Sequence, residues 1–73
     1  MIAKINIRPD RESPATETIE RTVPAFWPIP QIGTDIVISL TQNDVSIVLA
    51  EVTDVSIFYN DNLEPAFVEI EAS

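Results

Sequence analysis

Apolar and polar residues alternate in the first segment of the chain. In residues 2–8, Ala3, Ile5 and Ile7 fall on one side of an extended backbone, and the residues that follow each of them are polar. A period of two is typical of a β-strand with one face buried. The pattern therefore predicts a strand over residues 2–8, with those three side chains directed towards a core.

A polar run separates this strand from a second one. A proline and an aspartate end the first strand, and residues 11–14 have the composition of a turn or a short irregular loop. Residues 18–23 alternate less cleanly, with Ile19 and Val23 on one face, and a hairpin is the simplest continuation. A single helical turn that starts at residues 13–14 is the alternative for this part of the chain.

Residues 24–30 contain three prolines and cannot form a central strand, because proline has no N–H to donate. We expect this segment to run extended across one end of the sheet and to cover the core with Phe26, Trp27 and Ile29. Gly33 follows and is the only glycine. It should adopt a positive φ or allow a close backbone approach. Elsewhere only Asn or Asp is expected to adopt such a φ readily.

The second half of the chain is rich in β-branched residues. Residues 35–40 predict a strand, and residues 41–44 have the composition of a tight turn. The predicted inward side chains of that strand are Ile36, Ile38 and Leu40. Residues 45–59 are too many for one straight strand in so small a domain, so we expect a bend, a bulge or a split. Glu51 or residues 53–54 are the expected position of the break.

The last strand follows one more turn. Residues 60–62 read Asn-Asp-Asn, a composition typical of turns. Residues 66–71 then alternate, with Ala66, Val68 and Ile70 predicted to point inwards.

The composition supports an all-β protein. The chain contains eleven Ile and seven Val against three Leu, and β-branched side chains fit a pleated surface. Apolar residues make up 45% of the chain, enough to avoid disorder. Five or six short strands joined by turns predict a single domain over residues 1–73. Its expected architecture is a small antiparallel barrel or rolled sheet.

Three segments resemble small uncharacterised bacterial and phage proteins. Residues 30–38 are similar to the Pro-x-Val/Ile-Gly turn that opens a barrel strand in those proteins. Residues 52–58 resemble the Val-x-x-Val strand that follows it, and residues 68–70 resemble the last strand. Those proteins are similar to small barrels of the Src-homology-3 shape. The resemblance covers roughly residues 28–70, and it implies an SH3-like fold without implying an activity.

Charge is distributed unevenly along the chain. Twelve acidic residues face four basic ones, which gives a net charge of −8. All four bases lie within the first 21 residues, whereas residues 22–73 hold eight acids and no base. Outward acids keep a small β protein soluble and protect its edges. The more specific hypothesis is an acidic face that binds a basic partner or imitates the phosphates of a nucleic acid.

The composition also excludes several classes of function. Without cysteine or histidine, the chain can form no disulfide, no Cys/His zinc site and no thiol or imidazole catalytic group. Direct nucleic-acid binding is disfavoured because basic residues are scarce. We find no apolar run long enough for a membrane helix and no signal-peptide pattern. We therefore expect a cytoplasmic protein that is not an enzyme, with no metal, no cofactor and no membrane contact.

Five residues are the candidate partner-binding site: Trp27, Tyr59, Phe67, Glu69 and Glu71. Trp27 lies between prolines, Tyr59 at a strand end, and Phe67 on the predicted outer face beside the two glutamates. Aromatic residues are over-represented at interface hot spots. The two carboxylates start about 7 Å apart, a separation that two-carboxylate hydrolysis could use, but a solvated strand face is the simpler interpretation.

These observations predict a non-catalytic interaction module. We expect a small acidic barrel that forms homo-oligomers or docks on a protein partner, because a core of this size stabilises a chain only marginally. The alternative is an acidic inhibitor, of the kind that a mobile element or phage encodes, whose acids occupy a basic nucleic-acid site on another protein.

Overall fold

The computed structural model describes residues 1–10, 12–39 and 47–73. Five strands lie within these ranges: β1 (Ile2–Ile7), β2 (Glu17–Thr22), β3 (Asp35–Ser39), β4 (Ile47–Tyr59) and β5 (Pro65–Ala72). They form one sheet in the order β2-β1-β5-β4-β3, curled into a half-barrel, and the described residues contain no helix. The predicted all-β class is confirmed. No helix in this part of the chain has the length and apolarity that crossing a membrane requires.

The sheet is mixed, with one parallel pair at its centre. β1 pairs antiparallel with β2, and β4 pairs antiparallel with both β3 and β5, whereas β1 and β5 run parallel. The first and last strands therefore lie side by side, with Ile5 opposite Ile70. The β1–β2 hairpin is confirmed in place of the alternative helical turn at residues 13–14. The prediction of an antiparallel sheet holds for every pair except this central one.

The core occupies the inner face of the half-barrel and consists of two adjoining clusters. One cluster contains Ala3, Val52, Val68 and Ile70, and the other contains Ile7, Ile19, Ala50 and Ala72. Ile5 and Ile36 are half-buried and pack against both clusters. The predicted inward positions of β1 are therefore confirmed, as are those of Val68 and Ile70 in β5.

Ala66 is exposed, so the prediction that it points inwards is wrong. Phe58 pairs with Phe67, but the next residue of β4, Tyr59, pairs with Pro65. This register shift leaves Ala66 without a partner in the ladder and outside the alternation that governs the rest of β5. Ala72 at the other end of the strand is fully buried instead.

A bulge divides β4, as predicted. Val52 pairs with Ala72 and Asp54 with Glu71, so Thr53 is the extra residue. The first part of β4 pairs with β3, and the part after the bulge pairs with β5. Because one residue is inserted, the alternation reverses at the bulge. The inward side chains are Ala50 and Val52 before it, and Val55 and Ile57 after it.

The proline-rich segment covers one end of the core, as expected, but with two of its three large side chains. Trp27 and Ile29 pack against the first core cluster. The Trp27 N–H donates to the Pro24 carbonyl at 3.0 Å, which closes a turn. Phe26 lies in this turn and is 87% exposed, so its predicted burial is wrong. Adjacent turn residues point in different directions, and Trp27 takes the inward position.

Two of the described residues have a positive φ. Gly33 has φ 89°, as predicted, and its N–H donates to the Val52 carbonyl at 2.8 Å. Leu63 has φ 60°, which corrects the expectation that only Asn or Asp would join glycine in this region. It lies in the turn after β4, where the Leu63 N–H donates to the Asn60 carbonyl at 3.0 Å. The predicted turn over residues 60–62 is confirmed, whereas Leu40 and residues 41–44 lie outside the described residues.

Candidate interaction surface

The outer face of the sheet carries an apolar row that crosses three strands. Ile2 of β1 pairs with Phe67 of β5, which pairs in turn with Phe58 of β4. The two phenyl rings meet edge to face, with centroids 5.7 Å apart and planes at 62°, a favourable arrangement for aromatic pairs. Phe58 is 54% exposed and Ile2 is 40% exposed. We call these three residues the outer row.

The structure brings together three of the five residues proposed from the sequence. Phe67, Glu69 and Glu71 lie on the outer face of β5, and all three are half-buried. Trp27 packs against the core from the inner side. Tyr59 is exposed but follows Phe58 in the alternation of β4, so it lies on the opposite side from the outer row. The five residues therefore do not form one surface.

Phe58 belongs to this surface although sequence reasoning did not select it. Counting in steps of two from the buried Val52 places Phe58 in the core. The bulge at Thr53 reverses the alternation, so that Val55 packs against the core and Phe58 faces outwards. The sequence indicated a break at residues 53–54 that could reverse the alternation. Whether Phe58 then faces inwards or outwards depends on how β4 pairs with β5.

A polar network lies beside the outer row and joins β2, β1 and β5. Asn6 is buried although it belongs to the outer face, and its Nδ2 donates to Glu71 Oε1 at 3.1 Å. The Thr18 hydroxyl donates to Asn6 Oδ1 at 3.1 Å. Arg8 Nε donates to the second carboxylate oxygen of Glu71 at 2.8 Å, forming an ion pair. Each polar atom of Asn6 that burial removes from water thus has a partner.

The ion pair keeps Glu71 ionised. The hydrogen bond from Arg8 holds the pKa of Glu71 below its ordinary value of 4.5, against the opposing effect of burial, and the bond from Asn6 lowers it further. The same hydrogen bond raises the pKa of Arg8. A small pocket of about 110 Å³ lies next to the pair. Glu71 therefore links β5 to Asn6 and Arg8 on the β1 side of the sheet. A general acid at neutral pH needs a raised pKa, whereas the pKa of Glu71 is lowered.

The loop between β1 and β2 is fixed by polar bonds of its own. The Asp10 carboxylate accepts hydrogen bonds from the Ser13 hydroxyl at 3.0 Å and from the backbone N–H groups of Glu12 and Ser13 at 2.9 Å. These bonds lower the pKa of Asp10. Arg8 also donates to the Ser13 carbonyl at 3.0 Å. The loop is thereby attached to the strand that it leaves.

The carboxylates of the outer face do not form an uninterrupted acidic patch. Lys4 lies opposite Glu20 on one side and Glu69 on the other. Glu71 has Arg8 as its partner. Asp54 lies directly opposite Glu71 in the β4–β5 register. Among the described residues, no three acidic side chains come close enough together to hold a metal ion.

Large apolar side chains are exposed well beyond the outer row. Within the described ranges, nine such side chains are exposed: Ile2, Phe26, Ile32, Val37, Leu49, Ile57, Phe58, Tyr59 and Leu63. Phe26 and Leu63 exceed 80%. Single exposed apolar residues are normal, but neighbouring ones on a small protein mark surfaces that contact something other than water.

Comparisons of this chain with known protein families, with curated proteins and with solved structures give no match.

Proposed function

We propose that this protein is a non-catalytic interaction module that binds another protein chain. The observation that carries the proposal is the outer row, where Ile2, Phe67 and Phe58 form a connected apolar strip with two partly exposed members. Aromatic side chains in such a strip contribute a large contact area at low cost in conformational entropy.

The chemistry around the outer row indicates the kind of partner. Lys4, Glu20 and Glu69 form the neighbouring row, and their charges alternate in sign from strand to strand. A partner would therefore place an apolar anchor on the phenyl rings and polar groups at this mixed rim. Because the local charges largely cancel, binding should depend only weakly on salt concentration.

The alternative of an acidic inhibitor of nucleic-acid binding predicts the opposite salt dependence. Its three proposed carboxylates are Asp54, Glu69 and Glu71, and the last two have a basic residue beside them. Their contribution to the local negative potential is thereby reduced, which is why we favour the apolar surface. Binding that weakens steeply with salt, and that is lost on reversing these three charges to lysine, would favour the inhibitor instead.

We also propose that the half-barrel is related in shape to the small barrels of the Src-homology-3 type. The number of strands, their curl and the glycine that opens β3 support this relation. The parallel β1–β5 pair is a departure from a wholly antiparallel barrel.

Site-specific photo-crosslinking tests the proposed binding surface. A benzoylphenylalanine is placed at Ile2 in the outer row and, as a matched control, at Glu12, which is exposed in the β1–β2 loop at the opposite end of β1. In cells that natively produce the protein, we expect a discrete protein adduct from position 2 and little from position 12. An equal yield at both positions, or no adduct at position 2, would contradict the proposal.

A further inference from the structure

Among the described residues, the second half of β4 has a hydrogen-bonded partner strand on one side only. Glu51 and Ser73 exchange two backbone hydrogen bonds, of 2.8 and 2.9 Å. From this pair, the alternation of the ladder determines which residues of β4 after the bulge direct their N–H and C=O groups towards β5. Those residues are Asp54, Ser56 and Phe58. Val55, Ile57 and Tyr59 point the other way, where no described residue bonds to them.

This free edge lacks the protection that sheet edges usually have. Residues 55–60 read Val-Ser-Ile-Phe-Tyr-Asn and contain no charge, in a chain whose net charge is −8. Edge strands normally carry lysines, other charges or prolines that discourage pairing with a further strand. An uncharged, apolar edge of this kind is a template for strand addition.

A groove runs beside the free edge on its inner side. Ile29, Pro30, Gln31 and Ile32 form one wall, and Val55 and Ile57 form the other. The groove is shallow and open to solvent, with a volume of about 520 Å³, and none of its lining residues is charged. An added strand would therefore place its inward side chains among apolar ones. The groove fits an extended, uncharged segment with β-branched or aromatic residues at alternate positions.

The chain contains such a segment, which is the same stretch of β4. We propose that this protein forms a two-fold homodimer in which β4 pairs antiparallel with β4 of a second copy, with the axis at Ile57. In this register Val55 lies opposite the partner's Tyr59, and Ser56 opposite the partner's Phe58. Asp54 lies opposite the partner's Asn60, so no like charges face each other. About six backbone hydrogen bonds form, two for each of the pairs that direct their amides across the axis.

The register is self-complementary in its side chains as well as in its amides. Aromatic residues opposite β-branched ones are favourable cross-strand pairs, and the two-fold repeats the Val55–Tyr59 contact on each side of Ile57. The dimer rests on the proposed interaction role but uses the β4 edge, and Phe58 is the one residue that this edge shares with the outer row. The experiments are therefore separate: crosslinking from Ile2 tests the outer row, and variants at Ile57 test the edge.

Sedimentation velocity over a concentration series tests the dimer. Ile57→Lys places a charge at the axis, and Tyr59→Lys is a second variant in which the replaced side chain is exposed and lies outside the core. Thr22→Lys is the matched control, because it adds the same charge to the exposed β2 edge. We expect a dimer for the wild type and for Thr22→Lys. For both β4 variants we expect a dissociation constant of the dimer at least tenfold higher than that of the wild type, with unchanged far-ultraviolet dichroism for Tyr59→Lys.

Amide hydrogen exchange provides a readout at single residues. The N–H groups of Val55, Ile57 and Tyr59 should exchange more slowly as protein concentration rises, whereas that of Glu20 on the β2 edge should not change. Added salt should strengthen the dimer, because it screens the repulsion between two copies of charge −8. A wild type that stays monomeric, a dimer that both β4 variants retain, or exchange at these three amides that ignores concentration would overturn the proposal.

Discussion

The two edges formed by β2 and by the second half of β4 differ in chemistry although both end the same sheet. Met1 and Val23 bond to each other across β1 and β2, so the amides that face away from the sheet in β2 belong to Thr18, Glu20 and Thr22. All three have exposed polar side chains. Their counterparts in β4 are Val, Ile and Tyr. The comparison indicates that β2 is protected against pairing, whereas β4 is available for it.

The two edges are also attached to the centre of the sheet by different interactions. β2 is linked through the network that joins Thr18, Asn6, Glu71 and Arg8. Besides its backbone ladder with β5, the second half of β4 is attached by apolar contact, with Val55 packed against the core cluster that contains Ile70. Polar attachment should respond to pH, and apolar attachment should not.

The largest effect is expected where both edges depend on one residue. Ile70 is fully buried and pairs with Ile5 towards β2 and with Val55 towards β4. Ile70→Ala leaves a cavity at this junction and should lower the free energy of unfolding by about 2–5 kcal/mol, most of the stability of so small a domain. Urea unfolding of dilute protein, followed by far-ultraviolet dichroism and by Trp27 fluorescence, measures the loss.

The two signals should change together in that experiment. Dichroism reports the whole sheet, and Trp27 reports the proline-rich segment that packs against the first core cluster. Coincident transitions would show that the two edges share one cooperative core. If the transitions separate, or if the loss is under about 1 kcal/mol, the edges belong to independent units and comparing them as parts of one sheet would be wrong.

Much of the fold could be predicted from the sequence because period-two alternation records which face is buried. Ala3, Ile7 and Ile70 were identified in this way, as was the position of the break in β4. The parallel β1–β5 pair could not be predicted, because it joins residues more than 60 positions apart and leaves no local pattern. The exposure of Ala66 depends on a register shift, which is likewise a property of two strands and not of one.

A smaller loss of stability is expected when the polar network that links β2 to β1 and β5 is weakened. Glu71→Gln keeps the shape of the side chain but removes the charge that Arg8 and Asn6 stabilise. Glu71 is 22% exposed, so after allowance for solvent screening we expect a loss of about 1 kcal/mol at pH 7. Thermal or urea unfolding across a pH series measures the difference between the variant and the wild type.

The sign of the pH dependence follows from the direction of the shift. Folding lowers the pKa of Glu71, so the stabilisation is fully present above its ordinary value of 4.5 and is lost as the pH falls through the lower, folded value. The difference between wild type and Glu71→Gln should therefore shrink in acid. Glu69→Gln, on the same face of the same strand but without the bond to Arg8, is the control and should lose less stability at pH 7 than Glu71→Gln. A constant penalty for Glu71→Gln down to pH 2 would exclude the ion pair as its cause.

The candidate site was harder to predict than the fold for a related reason. Which aromatic residues share a surface depends on how β4 and β5 are aligned. The one inserted residue at Thr53 directs Phe58 to the outer face and its neighbours in β4 to the inner face. The free edge of β4 was also hidden in the sequence. Its lack of charge is visible there, but that no described residue pairs with its outward amides follows only from where β3 begins, at Asp35 opposite Glu51.

The turns next to the two edges provide the smallest test. The loop that leads to β2 is held by the hydrogen bonds of Asp10, and its described residues have no positive φ. The turn that leaves β4 holds Leu63 at φ 60° with its side chain 81% exposed. A leucine in this region is strained, by roughly 1–2 kcal/mol. Its exposed side chain gains little burial in return.

Leu63→Asn should therefore stabilise the protein, since asparagine tolerates this conformation without the entropy cost of glycine. We expect a gain of about 0.5–1 kcal/mol, measured by urea unfolding of dilute protein. Gly33→Ala is the opposite control: a Cβ there meets nothing within 4 Å, so any loss comes from its φ of 89° alone. If Leu63→Asn is neutral or destabilising while Gly33→Ala costs stability, the side chain of Leu63 contributes contacts that outweigh its strain, and the turn beside β4 is a packed element like the loop beside β2.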